Sequence, residues 1–521
     1  MDIPDPATSL SEAFFADLED DLAAYADRPA RVYGHSVQQK AGATHLLARL
    51  GTTKRLVVGA ADPPYDVEAT LDHSAGPIHV CPCSAANAQV LRATFPWTAP
   101  VPLGTESALG CGDRLGLATP GHIRACQASD LRPVLAQQSI REMERTGRTP
   151  QEVLDDASWA VFQAGYQDGF GADADHLKTP EAIDRCVAAG YTMYTIDPSD
   201  HVDTEADDLG AAALDERFSA LPWDALDATP DACLDRYATA PIEVGNDDPL
   251  RIDFDETTLK QAAVKYGAAL AHTKRLADHL ATRYQSVRPE ETYDLEMSVD
   301  ETARPTRPRE HLFVAAELQR LGGEVTSLAP RFVGDFQKGI DFIGDLDAFE
   351  TAFERHARIA AAREDYKLSI HSGSDKFSVY PIMGRHAGDR LHLKTAGTSY
   401  LEALRIIARH APALLREIVD FAFERFEEDR KTYHVTTDLD AIPAPDDVSQ
   451  SDLEATYLDD DDGRQLLHLT YGSVLSATEN GSPRFKDRFF EVLHAHENEH
   501  YETLEKHFRH HLRGLQQNDS R

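Results

Sequence analysis

The sequence predicts an α/β fold, a (β/α)8 TIM-type barrel with an N-terminal extension, a helical insertion and a C-terminal helical extension. Two observations carry this. From about residue 113, eight short apolar runs alternate with amphipathic stretches. Polar groups also collect just after those runs, where barrel enzymes place their active-site residues. A doubly wound open sheet is the alternative arrangement of the same units.

The expected strands, in order, are "RLGLATPG" (114–121), "RPVLAQQS" (132–139), "FGADADHL" (170–177), "YTMYTIDP" (191–198), "YDLEMSVD" (293–300), "VTSLAPRFV" (325–333), "YKLSIHSG" (366–373) and "LHLKTAG" (391–397). They are short, apolar and punctuated by Gly and Pro, as buried parallel strands are. Helices are expected over 150–166, 179–190, 310–323, 347–365 and 399–426, where apolar residues recur at spacings of three and four. Thr179-Pro180 opens one of these and Gly190 closes it. Residues 1–112 form an N-terminal portion packed on the barrel, with strands at "KRLVVGA" and "PIHVCPC". Residues 113–440 form the barrel, with an insertion at about 204–290 that has its own helices, and residues 441–521 form the C-terminal extension.

Composition narrows the function. The chain has 521 residues, 42% hydrophobic and 8% aromatic, and 52 basic against 88 acidic residues give a net charge of −36. Such a surface repels nucleic acid and anionic membranes, so neither is an expected partner. An acidic small substrate would need local Arg, Lys or a metal in its pocket. The carboxylates are dispersed ("ADLEDDLAAYAD", "LDDDDGR"), as on a salt-adapted surface. Six cysteines in a chain this long make no disulfide framework. The acidic start "MDIPDPATSLSEAFF" has no basic segment of the secretory kind, and no apolar run approaches the ~18 residues of a membrane span, so a cytoplasmic location is expected.

Polar residues mark the ends of six expected strands. They are Asp173, Asp175, His176 and Lys178; Asp197, Asp200, His201 and Asp203; Glu296; Asp335, Gln337 and Lys338; His371, Asp375 and Lys376; and Lys394. A strand-end Asp is often only the cap of the next helix. His201 and His371 directly follow apolar strands or their short exits. Imidazoles from different strands, with carboxylate or amide oxygens, suit a catalytic divalent cation with open positions. Glu296, between Leu295 and Met297, is expected to be desolvated, which raises a carboxyl pKa and suits a general acid.

A second motif competes. His496-Glu497-Asn498-Glu499-His500 matches the zinc-hydrolase pattern of two His four residues apart with Glu between. It lies in a His- and Glu-rich stretch of the terminal extension and has no evident third ligand, so a packing or solvated helix is the expectation.

The segments "GCGDRLGLATPGH", "GADADHLKT", "YTIDPSDHVD", "LAPRFVGDFQKGIDFIGD", "KLSIHSGSDKFSVYP" and "LHLKTAGTSYLEALR" resemble the tagaturonate epimerase family over roughly residues 110–430. The resemblance implies an isomerase of hexuronate catabolism. It would depend on a divalent metal cation (Zn, Mn, Ni or Fe) and interconvert D-tagaturonate and D-fructuronate; some relatives act on neutral ketohexoses such as tagatose and fructose. By the same resemblance Asp200 matches the proton acceptor, Glu296 the proton donor, and His201 and His371 two metal ligands. Gln337 matches the third ligand, with Asp335 chemically as acceptable. Lys178, Arg331, Lys376 and Lys394 are candidates to hold the substrate's carboxylate or hydroxyls. A metal-dependent aldolase or ketose isomerase, or a non-catalytic sugar-acid binding protein, are the alternative functions.

Overall fold

The computed structural model describes residues 12–245, 249–363, 366–395 and 397–516. The acidic start, residues 1–11, and the last five residues of the terminal extension lie outside it. Five antiparallel strands come first: β1 (Ala30–Lys40), β2 (Ala43–Leu50), β3 (Thr53–Gly59), β4 (Ala69–His73) and β5 (Gly76–Pro82), in the order β1-β2-β3-β5-β4. The two N-terminal strands expected from sequence are β3 and β5. Leu47, Leu56, Val58 and Cys81 pack against Trp159 and Phe162 of the helix Pro150–Ala164, which joins this sheet to the barrel behind it.

The barrel closes from eight parallel strands. They are β6 (Ala108–Cys111), β7 (Arg132–Ser139), β8 (Gly171–Leu177), β9 (Met193–Ile196), then, beyond the small hairpin β10 (Ile242–Val244) and β11 (Leu250–Ile252), β12 (Asp294–Ser298), β13 (Ser327–Ala329), β14 (Lys367–His371) and β15 (Leu391–Thr395), which pairs back on β6. Seven of the eight expected strands are these. The first is not "RLGLATPG". The strand is the preceding Ala108–Cys111, so the barrel begins before residue 113, and residues 113–118 are a loop wound around one side chain. The Asp113 carboxylate accepts the backbone N–H groups of Leu115, Gly116, Ala118 and Thr119, fixing a turn where apolar content alone suggested extension.

Strand sequence and barrel interior are linked by strict alternation. In "YTI", "LEM", "LSI" and "LHL", the apolar residues Tyr194, Ile196, Leu295, Met297, Leu368, Ile370, Leu391 and Leu393 face the surrounding helices in one large core. The middle residues Thr195, Glu296, Ser369 and His392 are buried as well, on the other face. The interior of this barrel is therefore polar.

The helix Pro180–Ala189 is capped by Thr179 and ends at Gly190 (φ 107), as expected. The expected helix over 399–426 is two helices, Thr398–His410 and Pro412–Asp429, because Pro412 lacks the N–H needed to continue the first. The insertion carries the helices Ala211–Ser219 and Pro230–Tyr237, the β10–β11 hairpin and the 32-residue helix Glu256–Val287. Further helices follow residue 460, the last being Glu497–Gln516, which packs on the helices Thr119–Cys126 and Tyr380–Ala387. No helix among the described residues is long and apolar enough to cross a membrane.

Candidate active site

The C-terminal ends of the barrel strands bring together residues distant in sequence. At the end of β8 the pairing with β9 slips between Ala174 and Leu177, and His176 adopts a left-handed backbone conformation (φ 52). A bulge of this kind re-aims a side chain. By alternation Asp173 and Asp175 point inward and His176 would point out. The bulge turns it toward the mouth instead, where its Nε2 lies 3.3 Å from Nδ1 of His371, the last residue of β14.

Each imidazole is held from behind by a buried carboxylate. His176 Nδ1 donates to Asp197 Oδ2 at 3.0 Å, and His371 Nε2 donates to Glu296 Oε1 at 2.7 Å; both carboxylate side chains are 0% exposed. These bonds fix which nitrogen of each ring is turned to the cavity, Nε2 of His176 and Nδ1 of His371, and the two face each other. Asp175 Oδ1 is 3.8 Å from His176 Nε2, and Asp300 Oδ1 is 3.2 Å from His371 Nδ1.

The surroundings favour positive charge at this point. Burial opposes protonation of His371, but Asp300 and Glu296 raise its pKa to about 9 despite Lys394. Burial likewise opposes charge on His176, but Asp175 and the bond to Asp197 hold its pKa well above the ordinary value. Asp175 is pushed up by burial and pulled well below the carboxylate range by Lys394, His176 and His371. Within the barrel, Lys394 Nζ lies 2.7 Å from Asp173, 2.9 Å from Asp175 and 2.8 Å from Glu296, one ammonium among three carboxylates. Burial and the neighbouring carboxylates raise Asp173 to about 6, against the pull of Lys394.

Asp175, His176 and His371 offer ligand atoms that all lie within 4.8 Å of one another. Two nitrogens bound to one tetrahedral zinc at about 2.0–2.1 Å stand roughly 3.3 Å apart, which is the spacing found here. The donor set, two imidazoles and carboxylate oxygen with carboxylates behind the rings, fits a divalent cation.

Above these groups opens a cavity of about 560 Å³, lined by Asp300, Glu301, Arg331, Lys338, His371 and His434 among others. A smaller recess containing Asp175, His176 and Lys394 continues from it and shares His371, Lys338 and Tyr433. Gly373 takes a left-handed φ of +64, and a Cβ there would come within 2.6 Å of Lys338 Nζ, so glycine is what lets this lysine reach the site.

The residues expected from sequence fall into two groups. His371, Glu296, Lys394 and Arg331 are at or beneath the mouth. Glu296 is buried as expected, but its pKa is not raised: Lys394 and His371 outweigh burial and hold it well below the ordinary value. His201 does not meet His371. It is exposed, stacks on His272 at 4.0 Å, and belongs to none of the groupings of ligand atoms found among the described residues. Asp200, with a side chain 71% exposed, pairs with Lys178 at 3.0 Å, so both sit at the rim, outside the two cavities. The Gln337 amide oxygen is engaged by Thr436 N–H (2.9 Å), the Thr436 hydroxyl (3.0 Å) and Gln465 (3.1 Å), which commits it to the C-terminal segment. Asp335 lines the cavity but faces Arg331 at 3.5 Å. Lys376 is fully buried and donates to the carbonyls of Gln337 and Ile340 and to Ser374, so it braces a loop and does not reach the cavity. The sequence places His176, Asp197 and Lys338 among the polar strand ends but assigns them no role, and Asp300 is not among those residues. An Asp-His pair follows two of the expected strands, at 175–176 and 200–201, and only the bulge distinguishes them.

The His496–His500 motif is not a metal site of the hydrolase type. His496 ends one helix and stacks on His410 at 3.4 Å, while Glu497 begins the next and accepts from Tyr33 (2.7 Å) and Tyr501 (2.9 Å). Its acidic member ties the N-terminal sheet to the terminal helix.

A closed parallel barrel whose mouth joins paired imidazoles, buried carboxylates and cavity-lining cations defines a barrel enzyme for a small, polar substrate. The chain belongs to the tagaturonate epimerase family, whose model matches residues 33–515. It is 42% identical over 491 residues to the tagaturonate/fructuronate epimerase of Thermotoga maritima, covering 93% of this chain and 97% of that one. Two crystal structures of the fructuronate-tagaturonate epimerase of Cohnella laeviribosi superpose closely. The complex with one glycerol gives a TM-score of 0.88 at 39% identity and the native form 0.87 at 40%, each covering 96% of this chain and 99% of that one.

Proposed function

We propose that this protein interconverts D-tagaturonate and D-fructuronate at the barrel mouth, with a divalent cation held by His176, His371 and Asp175. The observation that supports this most directly is the 3.3 Å approach of the two cavity-facing imidazole nitrogens, each ring backed by its own carboxylate, at the floor of a cavity lined by Arg331 and Lys338.

The two ketohexuronates differ at a carbinol carbon one position removed from the carbon next to the ketone. Its C–H is not acidified by enolisation, so the reaction fits cleavage and re-formation of the neighbouring C–C bond. A divalent cation at this site would supply Lewis acidity to the ketone oxygen and to the enediolate that cleavage generates. Asp300, held deprotonated by His371 against the effect of burial, is placed on the cavity wall to accept the hydroxyl proton and return it after the aldehyde fragment presents its other face. Arg331 and Lys338 are the cations of the cavity and hold the uronate carboxylate. Glu296 and Asp197 act as positioning residues behind the rings, in place of the donor role that the sequence resemblance implied for Glu296.

Metal-loaded protein incubated with each uronate, and separately with tagatose and fructose, tests the reading by NMR of the product. Interconversion of the uronates supports it. Release of a three-carbon fragment would indicate an aldolase, and migration of the carbonyl an isomerase; either outcome, or binding without turnover, rejects it.

A further inference from the structure

We propose that Asp375, His507 and His511 form a second divalent-cation site, separate from the barrel mouth, which fastens the C-terminal helix to the loop after β14. His507 and His511 lie one turn apart on the helix Glu497–Gln516 and face the barrel. Their Nε2 atoms both converge on one oxygen, Asp375 Oδ1, at 2.9 and 3.1 Å. Each ring is anchored through its other nitrogen. His507 Nδ1 is 3.4 Å from Glu402 Oε1, and His511 Nδ1 donates to the backbone carbonyl of His507 at 3.2 Å.

The second of these bonds fixes the protonation of His511. A carbonyl only accepts, so Nδ1 carries a proton, and in the neutral ring Nε2 then carries a lone pair. That lone pair faces a carboxylate oxygen, and His511 Nε2 has no hydrogen-bond partner although the residue is 0% exposed. Two electron-rich atoms 3.1 Å apart in a dry setting repel unless positive charge lies between them. The His507–Asp375 contact is made by an Nε2 proton, which a cation would displace.

Asp375 is prepared for the same role. Arg464 takes its other oxygen, Oδ2, at 2.6 Å and so turns Oδ1 to the imidazoles, while the Thr398 hydroxyl stands 3.3 Å from Oδ1. Two nitrogens and one hard oxygen, with Glu402 behind one ring, are a donor set for zinc or a neighbouring transition metal. Asp375 follows His371 by four residues, so the site would also stiffen the loop that leads out of the barrel mouth.

The test is metal stoichiometry after loading with zinc and desalting. The wild type is expected to hold two ions per chain and the His176→Ala/His371→Ala variant one. The same variant, with its second cluster untouched, should melt at a higher temperature when zinc is added. Adding His507→Ala and His511→Ala should remove both the ion and the shift. A His176→Ala/His371→Ala variant that is folded, holds no zinc and shows no thermal shift overturns the proposal, as does one ion retained after both C-terminal histidines are replaced.

Discussion

Glu296 accepts the Nε2 proton of His371 at 2.7 Å from inside the barrel, and that bond decides which nitrogen of His371 faces the cavity. The glutamate comes from the middle of β12 and the histidine from the end of β14, two strands apart around the closed sheet. Replacing Glu296 with Gln keeps the shape but lets the ring take the wrong tautomer. Metal affinity at the mouth should fall about 10- to 100-fold, the usual cost of losing such a partner. Competition with a chelator measures it, and unchanged affinity would remove the positioning role.

The two Asp-His pairs separate cleanly by substitution. His176→Ala should lose the cation at the barrel mouth and with it turnover, whereas His201→Ala, at an exposed ring stacked on His272, should keep both. Metal analysis with a rate measurement distinguishes them. The opposite result would return the site to the loop at residue 201.

Arg331 and Lys338 should act on the carboxylate end of the substrate. A charged hydrogen bond contributes about 1.5–3 kcal/mol, so either residue changed to Ala should raise KM for a uronate by roughly 10- to 100-fold. A neutral ketohexose, lacking the carboxylate, should be handled much as by the wild type. Equal losses on both kinds of sugar would show that these cations serve the fold.

Glu497→Ala addresses the hydrolase-like motif. The change takes the acceptor from the buried Tyr33 and Tyr501 hydroxyls and the ion-pair partner from Arg49. The expected loss is about 1–3 kcal/mol of stability, seen in thermal melting, with epimerase turnover retained at temperatures where the chain is folded. Loss of turnover in a fully folded variant would contradict the structural role.

Stability should fall on mild acidification. Burial holds His122, His356 and His500 down to about 4, whereas unfolded histidine titrates near ~6.5. Between those values the unfolded chain binds more protons than the folded one, so stability increases with pH across that window and is lost as pH drops from about 6.5 toward 4. Melting temperatures that stay level from pH 7 to pH 5 would show these rings to be solvated.

Much of the architecture was legible because its signals are local. Seven barrel strands were readable as short apolar runs, and the helix at 180–189 was readable from Thr179-Pro180 and Gly190. The first strand was missed because Ala108–Cys111 is only four residues long, while the longer run after it, with Leu115 and Leu117, is bent by the bonds to Asp113. The site was legible in part. His371, Lys394 and Arg331 stand at or just beyond strand ends, and Glu296 lies inside β12 beneath them, but Lys376 and Gln337 share that position in the pattern and are taken up by loop carbonyls and by Thr436 and Gln465.

The sequence by itself determined the barrel class, the family resemblance and the strand ends where the chemistry collects, because period, punctuation and motif are properties of neighbouring residues. Only the tertiary structure decided which of the two Asp-His pairs at barrel-strand ends faces His371. A single bulge overrides the alternation that would have sent His176 outward, and it exists only in the pairing of β8 with β9. The low pKa of Glu296 is likewise a tertiary effect: Lys394 and His371 close on it from strands far along the chain and outweigh what burial alone would do.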